Sequence, residues 1–475
     1  MSHKLLNIIC ALTLVLGSSL IAKAEVQNVR VGGDIEVRGI WQQDMDLIAG
    51  DDRGGDNTAA ATDLYYAVTR AYISAELTDN VSTNIRFLND RVWGEAANWM
   101  GPLGPVIFGG LSGPTGDEVA IDLAYLTLSE IYDYPMSIYI GRQEIKVGEG
   151  FLIGDAVNDV YASDTKGDGN ADTYVYGPRK AFDAIRTQWS YEPHTIDLII
   201  AKVNEDYAGG IAEQNLYGIN WNYDGGMYGI YDIGFFIDKQ TNPTVNAEGD
   251  NITNALSVRG EGELPQVTTG TLVLKGEIVK QWGRVAENIT VHPGDDGLLG
   301  TADDITTTDK EKLDAWGGYI GAEYTFDNPY TPYIGASYIW MSGDKPNTDA
   351  VESFNPLYED ERYGELADAK AGGRTTNAKI FVANVGFNPT ESVNIDLTYY
   401  VLDEFRHAVG GTSTESRNLG REFDLSVGYD YSEDVSFGLL YASFAPGKAI
   451  TQPLDDAEIS DAKASEILGS VKVTF

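Results

Sequence analysis

Arg30, Arg38, Arg70, Arg86, Arg142, Lys146 and Arg186 recur within or at the ends of segments that alternate apolar and polar residues, several of them on the polar parity. Charges that project into a narrow aqueous passage act strongly on whatever crosses it. A file of such cations would guide anions. The carboxylates Asp34, Glu36, Asp90 and Glu144 lie among them, so the same file also reads as an ordinary solvated wall in charge balance. Two acidic runs suggest a second chemistry. Asp164, Asp168, Asn170 and Asp172 place oxygen ligands at alternating positions around a glycine, in the manner of a calcium loop. Lys166 occupies one ligand position, however, and Val175 stands where a closing Glu is expected. Asp295, Asp296, Asp303 and Asp304 form a second candidate, and for both runs the alternative is a merely solvated loop. Catalytic chemistry has little to work with. Beyond His3 the histidines are His194, His292 and His407, scattered over a turn and two loops, and no metalloprotease, nucleophile-elbow or phosphate-loop motif appears. The chain does not read as an enzyme.

These side chains need a frame, and the frame is β-strands. The final run, Ser465–Phe475, alternates Ile467, Gly469, Val471, Val473 and Phe475 with Glu466, Leu468, Ser470, Lys472 and Thr474. Its length suits a tilted membrane-spanning strand, for which about 9–11 residues suffice. From Val29 onward similar runs follow at 29–43, 64–77, 81–93, 119–131, 136–147, 182–192, 195–205, 213–224, 227–239, 252–263, 267–284, 314–326, 331–342, 376–389, 392–404, 419–431, 435–445 and 463–475. Their number is even. Trp41, Trp93, Tyr132, Trp282, Trp340 and Tyr431 gather at run ends, as aromatic girdles at two membrane interfaces require. Runs 195–205 and 376–389 are apolar on both faces, which fits either packing against an inserted loop or a different strand register.

The connections alternate strictly. Short turns such as Pro193-His194, Gly225-Gly226 and Thr390-Glu391 follow every even strand, whereas the connections after odd strands are mostly much longer. An up-and-down barrel with short periplasmic turns and long extracellular loops has this pattern; a soluble Greek-key sandwich has no reason to keep its long loops at one end. The fold class expected is therefore all-β, a transmembrane antiparallel barrel of eighteen strands, with Phe475 and the apolar parity of 467–475 facing lipid and paired to strand 29–43.

Residues 1–24 read as a secretory signal: His3 and Lys4, an apolar run from Leu5 to Leu16, and Ala22-Lys23-Ala24 before Glu25. The barrel domain then covers 25–475. The single cysteine, Cys10, lies in the signal, so no disulfide supports the rest; a closed hydrogen-bond ladder in a membrane is the alternative source of stability. A net charge of −39 excludes nucleic acid as a partner. The partners expected are outer-membrane lipid and lipopolysaccharide, the barrel-assembly machinery and a hydrophilic or polysaccharide solute. No cofactor is expected other than calcium in the acidic loops.

Leu419–Gly447, spanning Phe423-Asp-Leu-Ser-Val-Gly-Tyr429, resembles the last-but-one hairpin of the alginate-export family of outer-membrane barrels. Ser342-Gly-Asp344 followed by Phe354-Asn-Pro-Leu-Tyr358 is similar to that family's long loop before the final strands. Thr69-Arg70, Leu77-Thr-Asp-Asn-Val81, Trp93-Gly94 and Gly141-Arg-Gln143 add scattered points of likeness. The resemblance implies an eighteen-stranded, monomeric barrel in the outer membrane of a Gram-negative-type bacterium, passing an anionic polysaccharide outward through an arginine-rich lumen. This chain departs from that pattern in its strong acidity and in the three-residue turn Ser432-Glu433-Asp434, where the family has a long periplasmic turn. The fold carries over, while alginate as solute does not.

The reading is thus a passive outer-membrane channel for hydrophilic solutes, with anionic-polysaccharide export as its family form. The alternatives are a general diffusion porin, or a structural, surface-binding barrel with metal-binding acidic loops. Loop 148–181 is expected to narrow the pore. It opens on Gly148, Gly150, Phe151, Leu152, Ile153 and Gly154, too apolar for a solvated loop, and an eighteen-stranded lumen is too wide for wall side chains to fill. Gly177-Pro178 would return the chain so that Arg179 and Lys180 face Arg142 and Arg186 across a cationic constriction.

Overall fold

The computed structural model describes residues 27–44, 61–93, 119–156, 181–204, 213–241, 247–248, 250–265, 269–292, 305–345, 348, 350–367, 376–407, 416–451 and 462–475. Among these described residues, eighteen long strands make one antiparallel sheet. They are β1 (Gln27–Gln43), β2 (Ala61–Thr78), β3 (Val81–Val92), β4 (Ala120–Leu128), β5 (Met136–Gln143), β6 (Phe182–Tyr191), β7 (His194–Asn204), β8 (Glu213–Asp224) and β9 (Ile230–Thr241). The second half comprises β10 (Asp250–Pro265), β11 (Gly270–His292), β12 (Ile305–Phe326), β13 (Tyr333–Met341), β14 (Ala378–Thr390), β15 (Val393–Glu404), β16 (Asn418–Asp430), β17 (Val435–Pro446) and β18 (Ala464–Thr474). Two two-residue bridges, Ala247–Glu248 and Ala350–Val351, add to the ladder on β11 and β12.

Each strand pairs with its sequence neighbour, and β1 pairs with β18 to close the barrel. In that seam Ile35, Val37, Gly39 and Trp41 stand opposite Val473, Val471, Gly469 and Ile467. Gly33 and Phe475 exchange backbone hydrogen bonds of 2.9 Å each way, so the C-terminal residue is paired. Among the described strands closure leaves no unpaired edge, which is the condition for a sheet to sit in hydrocarbon.

Burial gives the two faces of the wall. Ile35, Trp41, Ile233, Leu256, Val258, Ile278, Ile320, Ile334, Leu439, Ile467 and Val473 are exposed, apolar and on one parity; this is the lipid face. Aromatic groups border it. Trp41, Tyr65 and Trp93 pack in series at one end, with ring centroids 6.2 and 5.5 Å apart. At the other end Tyr429, Tyr431 and Phe437 cluster, while His194 stacks on Trp221 and meets Tyr223 at a tilt.

The large core lies inside the lumen. Ile199 and Ala201 of β7, and Ala378 and Ile380 of β14, come from the two runs that are apolar on both faces, and they pack in one cluster with Phe151, Leu152, Ile153, Phe354, Leu357 and Tyr358 of two inserted segments. Strand bounds differ from expectation in two places. β11 and β12 stay paired out to His292↔Ile305, so much of the expected loop 285–313 is hairpin. Its Thr306, Thr307 and Thr308 opposite Val291, Thr290 and Ile289 suit a pleated ladder. β5 ends at Gln143 rather than at 147, because the chain leaves the wall there and turns inward.

Candidate functional site in the lumen

Two straps cross the interior. The first runs from Glu144 to Ala156 and turns at Gly148 and Gly150, whose φ values of 57° and 92° are left-handed and favour glycine. Val147 N–H donates to the Ile153 carbonyl at 3.0 Å and closes the turn. Phe151, Leu152 and Ile153 are then at most 3% exposed, and burying each contributes about 1.5–3 kcal/mol. The second strap, 350–367, was expected to be an outer loop. It lies instead against the first, in register: Tyr358 N–H donates to the Leu152 carbonyl at 3.1 Å, Gly154 N–H to the Tyr358 carbonyl at 2.7 Å, and Asp360 N–H to the Gly150 carbonyl at 2.8 Å. Phe151 stacks on Phe354 and meets Tyr319 of β12 edge-on, while Tyr358 meets Phe182 of β6.

Wall side chains hold the pair in place. Gln281 of β11 bonds both backbone groups of Asn355, at 2.5 and 2.8 Å, as a neighbouring strand would. Tyr358 Oη donates to Asp238 of β9 at 2.6 Å. On the far side Glu422 of β16 accepts the N–H groups of Leu366 and Ala367 at 2.7 and 2.5 Å. The straps thus form a bar from β9–β12 across to β16.

Charge at the bar is compensated. Glu149 accepts from Arg259 and Lys275, each at 3.0 Å, and Arg259 also holds Asp232 at 3.0 Å. Burial alone would push the Glu149 carboxyl up, but the Lys275 hydrogen bond and charge, with Arg259, outweigh it and hold Glu149 below the usual range. Glu361 on the second strap has weaker help. Burial raises it to about 7, against the opposing charge of Lys146 and with Glu149 and Asp360 adding to the rise.

The sequence-identified cations occupy these places. Arg38 pairs with Glu36 at 2.7 Å, and Arg70 with Asp34 at 2.9 Å. Arg86 holds Asp122 and Glu144, both at 2.5 Å. Lys146 pairs with Asp360 at 3.2 Å; Arg186 pairs with Asp197 at 2.8 Å and lies over the Tyr139 ring. Apart from Arg30, which is exposed at the start of β1 with no ion pair among the described residues, the file of inward cations is therefore a file of ion-pair rungs. Asp90 takes the Tyr66 hydroxyl instead of a cation.

Arg142 corrects the expected constriction. Its neighbours Gly141 and Gln143 register with Ala184 and Phe182 on the buried, inward parity, which leaves Arg142 and Asp183 on the outward one. They are 45% and 55% exposed at the side chain and form a bidentate pair of 2.9 and 2.8 Å. Parity, not position along the chain, decides which charges see the lumen. Arg179 and Lys180 lie outside the described residues. So do Asp164, Asp168, Asn170, Asp172, Asp295, Asp296, Asp303 and Asp304, and the signal segment 1–24.

Arg259, Lys275, Glu149, Gln281 and Glu422 were not singled out from sequence. Arg259, Lys275, Gln281 and Glu422 sit on the polar parity of their runs, which is the signal that could have found them; Glu149 becomes visible only once the strap is folded. Among the described residues, the inward parity of β12–β17 carries Glu323, Asp396, Glu404, Glu422, Asp424 and Asp430 and no Lys or Arg. Among the described histidine side chains, His194 accepts from Trp221 Nε1 at 3.2 Å in the girdle and His407 is exposed.

A closed eighteen-stranded barrel with a lipid-facing apolar band, girdles and a charged, strapped lumen is an outer-membrane channel of the porin type. Residues 29–460 match the alginate-export family, and the chain belongs to it. No curated protein matches. Among solved structures, the chain is similar to OccK8 (OprE) of Pseudomonas aeruginosa, at 11% identity and TM-score 0.53, covering 94% of this chain and 98% of that one. The outer membrane protein OprD of Pseudomonas aeruginosa is similar at 12% identity and TM-score 0.52, covering 95% and 96%. OccAB4 of Acinetobacter baumannii is similar at 10% identity and TM-score 0.52, covering 94% and 99%. At these identities the likeness shows the fold.

Proposed function

We propose that the protein is a passive, selective channel for hydrophilic, polyhydroxylated solutes of low net charge, with no covalent chemistry. The observation that carries this reading is the ion pairing of seven inward cations; Arg30 and Lys472, near the periplasmic end of the closing seam, are inward, exposed and without an ion pair among the described residues. Arg38, Arg70, Arg86, Lys146, Arg186, Arg259 and Lys275 each face a carboxylate, and the inward parity of β12–β17 adds further acid and, among the described residues, no Lys or Arg. A polyanion moving through this lumen would have to displace acidic side chains from every rung, at the cost of leaving them unpaired. Family membership favours the second reading, export of an anionic polysaccharide.

The reversal potential across a potassium chloride gradient in a planar bilayer tests the two. The expected result is a weak preference for cations; a strong anion preference would overturn the first reading in favour of the second. The acidic runs Asp164–Asp172 and Asp295–Asp304 are proposed as calcium sites on the lipopolysaccharide side. Chelation should then raise protease sensitivity there without unfolding the barrel, and unchanged cleavage would leave only a solvated-loop role.

A further inference from the structure

We propose that the lumen wall under the root of the first strap contains a subsite for one neutral sugar ring; the inference rests on, and sharpens, the reading of the chain as a channel for polyhydroxylated solutes. A recess of about 200 Å³ opens there between β6–β9 and residues 145–148. It is smaller than the ~300–1,000 Å³ of sites for drug-sized molecules, and so suits a single ring. Its polar lining is Arg186, Thr195, Asp197, Asn220, Asn222, Asp232 and Lys146.

The strand register explains the grouping. Asp197, Asn220 and Gly234 form one cross-strand row, and Thr195, Asn222 and Asp232 the next. All lie on the inward parity, close to the short turns before His194 and after Asp224, so the recess opens on the periplasmic half of the lumen. A solute approaching from that side meets it before the bar of straps. Gly234 contributes no side chain to its row; a Cβ there would meet the Phe236 ring at 2.5 Å and Asn220 Oδ1 at 3.1 Å.

Two features point to a ligand and to its class. Asn220 is only 4% exposed, and its side-chain oxygen has no hydrogen-bond partner, although a buried amide oxygen normally has one. Its Nδ2 reaches towards Asp232 at 3.4 Å, and Asn222 Nδ2 bonds the same Oδ1 at 2.8 Å. The amide oxygen is therefore an unused acceptor of the lining; it lies against Gly234 with almost no surface of its own open, so a guest reaches it by a turn of the Asn220 side chain into the recess. Charge, in contrast, is already used. Arg186 is paired with Asp197, Asp232 with Arg259, and Lys146 with Asp360. A charged guest would have to break one of these pairs. A hydroxylated, uncharged ring would not: it donates to Asn220 and to carboxylate lone pairs and accepts from Thr195 Oγ1. Closely set amide, carboxylate and hydroxyl groups on one wall match closely set sugar hydroxyls.

Two measurements on the full barrel test the subsite. Glucose is titrated against detergent-solubilised protein, and its interruption of single-channel current is recorded in a planar bilayer, with glucuronate as the charged comparison. The expected result is glucose binding stronger than glucuronate binding, weakened about fivefold in Asn220→Leu, as one lost hydrogen bond implies. Thr195→Val should weaken it in the same direction and serves if Asn220→Leu fails to insert. Absence of glucose binding in detergent, tighter glucuronate binding, or unchanged affinity in both variants would overturn the subsite. Glucose binding in detergent by a barrel that does not conduct would support the subsite and overturn the channel reading, so the two fail separately.

Discussion

Glu422 on β16 fastens Ala367 at the far end of the second strap: one carboxylate oxygen accepts Ala367 N–H at 2.5 Å while the other takes Leu366 N–H at 2.7 Å. Gly364 makes the approach possible, since its φ of 103° is left-handed and a Cβ there would stand 2.6 Å from Glu422 Oε2. Glu422→Ala would leave two buried amides without acceptors, a loss of about 1–3 kcal/mol for each. The strap end should come loose while the wall, paired by backbone, stays intact. Single-channel recordings should show larger conductance with more frequent fluctuations, and unchanged heat-modified mobility would report the intact barrel. A native-like quiet trace from Glu422→Ala would show that the bar does not depend on this clasp.

The strap docking should also depend on pH. Glu361 has its ordinary value of 4.5 raised to about 7 by burial, with Lys146 opposing and Glu149 and Asp360 adding to the rise. The docked state therefore binds this proton more tightly than an undocked strap does. Docking is favoured fully below about 4.5 and loses that contribution as pH rises through about 7. Lys275, held by Glu149, also opposes the rise, and Glu149 itself stays ionised across this window. Channel fluctuations should grow between pH 5 and pH 8, and Glu361→Gln should flatten the dependence. A channel that becomes quieter as pH rises would reverse the assigned sign.

The seam between β1 and β18 gives a prediction about assembly. Val471 faces outward beside Val37, whereas Ser470 is on the inward parity opposite Arg38. Arg on the lipid face near the bilayer midplane costs about 2–4 kcal/mol, while a lumen position is far more tolerant. Val471→Arg should lower the yield of folded barrel in the outer membrane more than Ser470→Arg does. Equal yields would mean that residue parity at the closing strand does not match the lipid boundary.

Much of this architecture was legible because a wall between lipid and water imposes a period of two on every strand. Runs such as 419–431 and 463–475 show it plainly, and the alternation of turns such as Pro193-His194 with long loops gives the topology. The excess apolar content around Ile199, Ala201, Ala378 and Ile380 was compatible with something packed inside or with a different register, and the structure shows the first. Which segments enter was only half legible. Phe151-Leu152-Ile153 stood out as too apolar for water, whereas 350–367 mixes Phe354 and Tyr358 with Glu359, Asp360, Glu361 and Arg362 and looks like a solvated loop. Its burial follows from backbone pairing with the first strap and from Gln281 and Glu422, contacts with no local sequence signature. The sign of the lumen was hidden for a similar reason. Cations are easy to list from sequence, but their partners, such as Asp122 for Arg86 and Asp197 for Arg186, come from neighbouring strands through the register.

That register separates two arginines which look alike in sequence. Arg142 and Asp183 pair on the outward parity, away from the route of a permeating ion. Arg259 is 7% exposed and stands at the inner wall, where it holds Asp232, Glu149 and Glu261 together. Replacing Arg259 with Gln removes one positive charge from a group of three carboxylates, leaving the nearby Lys275 as their close cation through Glu149. The local field turns more negative at the bar, where the passage is narrowed and charges are least screened by water. The reversal potential of Arg259→Gln should therefore shift towards cations, and the first strap should fluctuate more because Glu149 has lost half of its clasp. Arg142→Gln should leave both the reversal potential and the conductance at their native values. A selectivity shift in Arg142→Gln as large as that in Arg259→Gln would place Arg142 on the ion path and contradict the register of β5 and β6.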